Sequence, residues 1–200
     1  MSVVEIETPR GPGRAHVHAA DDARGAIVLG HGAGGGVEAP DLVAARNAAL
    51  GERFTVVLVE QPYRVAGRRS PPPAGHLDEA WIAIVEALRR GPLKGLSPIV
   101  GGRSMGGRVA CRTAEETDAV GVLCLAFPEH PPGKPEKSRL DELDGVEVPV
   151  LVIQGQADPF GLPPAAPGRE VIVVPGTHSF TRPLTGVVEA ARGWLMNFVA

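Results

Sequence analysis

A serine lies between glycines at the end of an apolar segment in the middle of the chain. The segment runs from Pro98 into the motif Gly102-x-Ser104-x-Gly106. Glycines at these two positions permit a turn that is too tight for bulkier side chains. A strand, such a turn and a helix would raise the serine hydroxyl above a sheet edge, at a helix N-terminus that stabilises negative charge. The motif favours a nucleophilic serine. Because 26 of the 200 residues are glycine, the spacing also arises by chance, and its context has to decide.

An aspartate and a histidine each follow a later apolar segment. Asp158 comes after the segment that ends at Ile153, and His178 comes after the one that ends at Val174. A histidine can remove the proton of a serine nucleophile, while a carboxylate orients the imidazole and stabilises its charged form. Taken singly, an Asp-Pro pair after a strand is usually a turn and a histidine in a loop is usually solvated. Together with the serine motif, they predict a catalytic triad of Ser104, Asp158 and His178.

A glycine-rich stretch, His-Gly-Ala-Gly-Gly-Gly at residues 31–36, follows another apolar segment. It lacks the Lys-Ser/Thr pair of a phosphate-binding P-loop, and it continues into Val-Glu-Ala-Pro rather than a dinucleotide-binding pattern. Beside a serine nucleophile, such a loop supplies one N–H group of an oxyanion hole. We predict that the N–H groups of Ala33 and Met105 form this hole, with Gly34 as the alternative to Ala33. His31 is predicted to support the loop rather than to ionise in catalysis.

The apolar segments indicate how these residues are positioned. Two N-terminal segments, residues 3–7 and 14–19, alternate in polarity around a Gly-Pro-Gly turn and predict an antiparallel pair. The later segments are continuous apolar runs, typical of parallel strands that are covered on both faces. These runs are residues 26–30, 55–59, 98–101, 120–125, 150–153 and 171–174. Helical patterns lie between several of them, at residues 41–50, 77–88, 106–117 and 187–198. The chain is therefore predicted to be an α/β three-layer sandwich with a mainly parallel sheet.

Polar, proline-rich loops follow three of the predicted strands, at residues 61–76, 128–140 and 157–168. In a parallel sheet they emerge at the carboxyl edge, where ligands bind. The connection after the sixth strand begins with closely spaced prolines, which prevent a helix, and only residues 138–144 could form a short one. We therefore predict a minimal cap or none.

Basic side chains in these loops and in the serine turn suggest a role in binding. Arg64, Arg103 and His130 are predicted to bind the substrate and could favour an anionic group. A set of solvated basic side chains explains them at least as well.

Composition limits the classes of function. The length predicts a single domain over residues 1–200, and the formal net charge of −3 is too small to indicate nucleic-acid binding. Cys111 and Cys124 are predicted to be buried thiols, while His16 and His18 lack a third ligand for a metal site. We therefore expect no metal, no cofactor and no contact with a membrane. The N-terminus is unlike a signal peptide, so a cytoplasmic location is expected. The sequence does not indicate an oligomeric state.

Several segments together carry a resemblance to a known group of proteins. They are residues 31–36, 62–64 with 67–69, 102–107, 127–137, and 154–155 with 158–160. The chain resembles the α/β-hydrolase superfamily near its dienelactone-hydrolase-like branch, which implies an α/β-hydrolase fold. It is most similar to the family of testis-expressed protein 30 and subunit 3 of the NSL histone acetyltransferase complex, and the segment from His130 to Lys137 is the most specific part. Dienelactone hydrolases typically have a cysteine nucleophile, whereas this chain has Ser104.

Two functions of different classes follow. The first is a serine hydrolase that cleaves a small ester, thioester or related acyl substrate through an acyl-enzyme. The second is a binding or scaffold protein on a hydrolase fold, since some members of the resembling family are subunits of complexes. The complete triad favours the enzyme, because a scaffold has no need for all three residues.

Overall fold

Runs of valine, leucine and isoleucine form the strands of a twisted sheet. The computed structural model describes residues 1–198, and in this range it has one eight-stranded sheet. The strands are β1 (Ser2–Ile6), β2 (Gly13–His18), β3 (Gly25–Gly30), β4 (Phe54–Glu60), β5 (Pro98–Arg103), β6 (Gly121–Leu125), β7 (Val150–Gly155) and β8 (Arg169–Val174). All eight predicted strands are confirmed. The domain predicted over residues 1–200 includes two residues outside the described range.

The sheet order is β1-β2-β4-β3-β5-β6-β7-β8. β1 pairs antiparallel with β2, and β2 pairs antiparallel with β4, whereas the pairs from β4 to β8 are all parallel. The carboxyl ends of β3 to β8 therefore lie along one edge of the sheet. The loops that carry the predicted catalytic residues start from this edge.

Helices cover both faces of the sheet. They are α1 (Pro40–Gly51), α2 (Pro62–Val65), α3 (Ala74–Arg90), α4 (Met105–Arg112), α5 (Leu140–Asp144) and α6 (Thr185–Leu195), which a 3₁₀ turn (Met196–Phe198) follows. One core contains Leu42 of α1 and Trp194 of α6. The other contains Trp81 of α3, Val109 of α4 and Leu143 of α5. The predicted three-layer α/β sandwich is therefore confirmed.

The connection between β6 and β7 carries little structure above the sheet edge. Its one helix within the described residues, α5, has five residues, too few to cover a cleft. The prediction of a minimal cap is confirmed, and its cause is the proline-rich segment before α5.

Helix α4 is shorter than its apolar pattern predicts, since it ends at Arg112 instead of continuing to Thr117. The residues that follow, Thr-Ala-Glu-Glu-Thr-Asp, are a poor continuation of a helix. Threonine has a low helix propensity, and acidic side chains are unfavourable near a helix C-terminus. Thr113 and Thr117 instead donate their hydroxyl hydrogens to the carbonyls of Val109 and Thr113, at 2.8 and 2.7 Å.

The cysteines and paired histidines have structural surroundings. Cys111 and Cys124 are buried free thiols, as predicted, with their Sγ atoms 3.6 Å apart. His16 Nε2 lies 3.2 Å from a carboxylate oxygen of Glu60. Residues 1–198 contain no group of three side chains suited to holding a metal ion. Over the same range, no helix is both long and apolar enough to cross a bilayer.

Candidate active site

The turn between β5 and α4 holds Ser104 in a strained backbone conformation. Its φ and ψ are 51° and −108°, values that residues with a Cβ rarely adopt. The flanking glycines make this turn possible. A Cβ on Gly102 or on Gly106 would overlap the carbonyl oxygen of Gly30, on the neighbouring strand β3. The turn is held by a 2.8 Å hydrogen bond from the Ser104 N–H to the carbonyl of Leu125.

The structure brings Ser104, His178 and Asp158 together in one chain of hydrogen bonds. Ser104 Oγ lies 2.9 Å from His178 Nε2, and His178 Nδ1 lies 2.9 Å from Asp158 Oδ2. An ionised carboxylate can only accept, so Nδ1 carries the imidazole proton and Nε2 is free to accept the serine proton. The Asp158 side chain is 0 % exposed and that of His178 is 19 % exposed. The arrangement is therefore suited to activating the serine hydroxyl.

Two neighbours, Phe160 and Gln154, fix the aspartate and the histidine. The Phe160 N–H donates to Asp158 Oδ1 at 2.9 Å, and the buried Gln154 amide donates from Nε2 to Asp158 Oδ2 at 3.0 Å. Gln154 Nε2 also lies 3.0 Å from the Phe127 carbonyl and 2.9 Å from that of Gly161. With acceptors on every side, this end of the amide must be the NH₂ group. The Phe160 ring packs edge-on against the imidazole at a centroid distance of 4.5 Å. Sequence reasoning assigned no role to Gln154, because an amide at a strand end has no distinctive pattern.

The predicted oxyanion donors lie beside the serine. Ala33, Ser104 and Met105 line the same cleft. Within residues 1–198, the Ala33 N–H donates to no backbone acceptor, and the Met105 N–H, at the first position of α4, has no partner within its helix. The Tyr63 hydroxyl donates to the Ala33 carbonyl at 2.8 Å. Burial raises the pKa of Tyr63 to about 12, so this donor keeps its proton.

His31 supports the glycine-rich loop from beneath. It is fully buried, its Nδ1 lies 2.8 Å from the Gly32 carbonyl, and its Nε2 accepts a 3.1 Å hydrogen bond from the Gln61 N–H. This second bond places the imidazole proton on Nδ1, and burial lowers the pKa of His31. The histidine is therefore neutral and ties the loop to the end of β4, in the supporting position that the sequence suggested.

Arg103, predicted to bind substrate, instead joins three parts of the structure. Its Nε donates to the buried carboxylate of Asp41 at 2.7 Å, and its NH2 group donates to the His178 carbonyl at 2.9 Å. Arg103 thus ties the serine turn to α1 and to the histidine loop. It lines a separate cavity of about 520 Å³ rather than the cleft beside Ser104.

The other two predicted substrate-binding residues are also absent from the walls of the Ser104 cleft within the described part of the chain. Arg64 makes a 3.5 Å contact with the Arg68 carbonyl, and His130 Nδ1 lies 3.0 Å from the Pro131 carbonyl. The structure therefore does not gather the predicted binding set around the nucleophile. The reason is that a basic residue in an edge loop can point along the surface as readily as inward.

The cleft beside Ser104 has a volume of about 350 Å³ and walls of two kinds. One part is apolar and includes Pro72, Leu77, Pro128 and Phe160. The other part consists of three arginines, which sequence reasoning missed: Arg108, Arg112 and Arg139. A signal for two of them exists in hindsight, since Arg108 and Arg112 follow Ser104 by four and eight residues and so share one face of α4. No sequence pattern marks Arg139.

Comparisons with known proteins agree with this fold. Residues 23–171 match the family described as alpha/beta hydrolase domain. The fold is similar to that of XC6422 from Xanthomonas campestris, a serine hydrolase without a lid, with a TM-score of 0.81 and 22 % identity over 99 % of this chain and 94 % of that one. Est1E from Butyrivibrio proteoclasticus, solved with ferulic acid, gives a TM-score of 0.79 and 16 % identity over 98 % and 99 % of the two chains. A dienelactone hydrolase from Anabaena variabilis gives a TM-score of 0.77 and 19 % identity over 100 % of this chain and 98 % of that one.

Proposed function

Since the chain belongs to the alpha/beta hydrolase domain family, we propose that it is a serine hydrolase that cleaves a small ester, thioester or related acyl substrate. The observation that carries the proposal is the unbroken hydrogen-bond chain from Ser104 through His178 to Asp158 at one end of a cleft. Within the superfamily we place the chain in the dienelactone-hydrolase-like branch, nearest to testis-expressed protein 30 and NSL complex subunit 3. The proline-rich segment from His130 to Lys137 supports that finer assignment.

In the first half of the reaction, Ser104 Oγ attacks the carbonyl carbon of the substrate while His178 Nε2 takes the hydroxyl proton. The carbonyl oxygen becomes negatively charged and accepts hydrogen bonds from the N–H groups of Ala33 and Met105. The bond between the carbonyl carbon and the leaving group then breaks. The leaving oxygen or sulfur departs with that electron pair and receives the proton from His178. Asp158 stabilises the imidazolium while it carries the additional proton.

The second half repeats these steps with water. His178 removes a proton from a water molecule, which attacks the acyl carbon bound to Ser104. The second tetrahedral intermediate uses the same two N–H groups. When it collapses, the bond from the acyl carbon to Oγ breaks, Ser104 regains a proton from His178, and the carboxylic acid leaves.

A fluorophosphonate probe tests the proposal directly, because an activated serine attacks phosphorus as it attacks an acyl carbon. We expect the wild-type protein to react, and mass spectrometry of the digested protein should find the label on the peptide that contains Ser104. The exposed Ser70 provides a control, and a Ser70→Ala variant should be labelled at the same rate. An unlabelled wild-type protein, or a label on another serine, would contradict the proposed activity.

The alternative of a non-catalytic binding or scaffold protein makes the opposite prediction for the same probe. A binding or scaffold protein requires no hydrogen bond between Ser104 and His178 and no fully buried carboxylate beside the histidine. Both features constrain the fold without adding to a binding surface, so they favour the enzyme. The outcome of labelling separates the two functions.

Short acyl chains are expected to be the preferred substrates, because the cleft is small and the described residues form no lid over it. With limited apolar contact, each further methylene beyond the cleft adds little binding energy. We expect kcat/KM for p-nitrophenyl esters to change by less than about tenfold between four and twelve acyl carbons, since an enclosed tunnel would gain about 0.8 kcal/mol for each buried CH₂. A steep rise out to long chains would contradict an open site.

A further inference from the structure

The cleft beside Ser104 holds more positive than negative charge. Arg108 donates to both carboxylate oxygens of Glu142, with its Nε at 2.7 Å. Arg112 donates to both oxygens of Asp78, at 2.9 and 2.6 Å, and a third nitrogen lies 3.1 Å from Glu142. Each of these two arginines has a carboxylate partner, and together they tie α4 to α3 and α5. Two arginines and two carboxylates balance, which leaves the third arginine in excess.

That third arginine, Arg139, contacts no carboxylate within residues 1–198. The one acceptor found near its guanidinium is the Pro128 carbonyl, 3.4 Å from NH1, a long contact for a hydrogen bond. The residue is half-buried, and its backbone is fixed by a 2.7 Å bond from its N–H to the Glu129 carbonyl. Burial, followed by the charge of Arg108, lowers the pKa of Arg139. Within residues 1–198, the half-buried guanidinium therefore has most of its hydrogen-bond donors without a protein acceptor.

The position of His178 indicates which part of a substrate enters this cleft. The leaving group must lie beside His178 to take its proton. Among the described residues, the cleft walls include Ala33, Ser104 and Met105 but not His178. A chain that extends from the reacting carbonyl into the cleft is therefore the acyl chain. Its methylenes would contact the apolar wall formed by Pro72, Leu77 and Phe160 before its end reaches the arginines.

Building on the proposed hydrolase function, we infer that Arg139 binds a carboxylate at the far end of the acyl chain. The substrate class is then the half-ester or half-thioester of a short dicarboxylic acid. The planar guanidinium offers two parallel donors to a carboxylate, a stronger arrangement than neutral hydrogen bonds give. An anion at this point satisfies the unused donors and neutralises the excess charge of the cleft. A neutral acyl chain does neither.

Pairs of substrates that differ only in the charge at the end of the acyl chain test this inference. Monoethyl esters of succinate, glutarate and adipate are compared with ethyl esters in which a carboxamide replaces the free carboxylate, so that shape is kept while the charge is removed. At low salt we expect wild-type kcat/KM to be about 10- to 100-fold higher for the carboxylate member of the best pair, the range for a hydrogen bond to a charged group. In Arg139→Gln this ratio should fall to about one. Arg139→Lys should keep part of the preference for the carboxylate ester over the carboxamide ester.

Arg24→Gln is the matched control, since Arg24 is exposed and precedes β3 at the opposite edge of the sheet. It removes the same charge and should leave the ratio unchanged. A wild-type ratio near one, or a ratio that survives in Arg139→Gln, overturns the inference and leaves the hydrolase proposal standing. Failure of the fluorophosphonate probe to label Ser104 overturns the hydrolase proposal itself.

A binding measurement decides the matter if the probe reacts but none of these esters is cleaved. Glutarate then competes with the probe for the cleft, and its effect on the labelling rate is measured in wild type and in Arg139→Gln. Protection of the wild-type protein that is lost in Arg139→Gln supports the carboxylate site. Equal protection of both proteins, or protection of neither, overturns it.

Discussion

Ser104→Ala is expected to lower kcat for ester hydrolysis by roughly 10⁶-fold, the size of loss found when the nucleophile of a serine protease is removed. Without Oγ no acyl-enzyme can form. Hydrolysis that remains would depend on water attacking a carbonyl polarised by Ala33 and Met105. The measurement is steady-state kcat together with a pre-steady-state burst of the leaving group, and both the burst and most of the turnover should disappear.

The fold should survive this substitution, because Ser104 Oγ bonds only to His178 among the described side chains. The far-ultraviolet circular dichroism spectrum of Ser104→Ala should therefore match that of wild type. Ser70→Ala should keep full turnover. A folded Ser104→Ala protein that retains more than about a tenth of wild-type kcat would rule out Ser104 as the nucleophile.

Asp158→Asn is expected to lower kcat by about 10⁴-fold. The asparagine keeps an oxygen that can accept from the Phe160 N–H, but it puts an NH₂ group where the carboxylate accepted from His178. The imidazole then turns or adopts the other tautomer, so Nε2 no longer accepts the serine proton. The negative charge that stabilises the imidazolium is lost as well. Steady-state kcat at several pH values measures both effects.

Asp21→Asn is the control, because Asp21 is exposed and its side chain makes no hydrogen bond or ion pair within residues 1–198. It should have wild-type kcat, and thermal unfolding should show that both variants are folded. If Asp158→Asn turns over within about tenfold of wild type, another carboxylate must orient His178, and the triad assignment would need revision.

The sequence was a good guide to the sheet and to its serine turn because both depend on local patterns. The continuous apolar runs of this chain are short and rich in valine, a pattern typical of strands covered on both faces. Asp158 and His178 follow such runs directly, so the order of elements along the chain carries them to the same edge as Ser104. Their meeting could be predicted without knowing any side-chain contact.

The walls of the cleft could not be predicted in this way. Arg103 directly precedes the nucleophile, a position that predicts contact with the substrate, but its partner Asp41 lies 62 residues earlier in the chain. Arg108 and Glu142 are 34 residues apart, and their pairing leaves Arg139 without a carboxylate contact in the part of the chain that the structure describes. Whether a basic residue is already paired is a property of the packed structure, since charged side chains carry no periodic signal.

The backbone of Ser104 affects the stability of the protein as well as its reactivity. A non-glycine residue at such φ and ψ values costs of order 1–3 kcal/mol, while a native domain is stable by only about 5–15 kcal/mol. The strained backbone of Ser104 therefore lowers the free energy of unfolding by a sizeable fraction, even when no substrate is bound. The bond to Leu125 and the close packing of Gly102 and Gly106 against Gly30 keep the residue in that state. At this one position, selection for activity and selection for stability act in opposite directions.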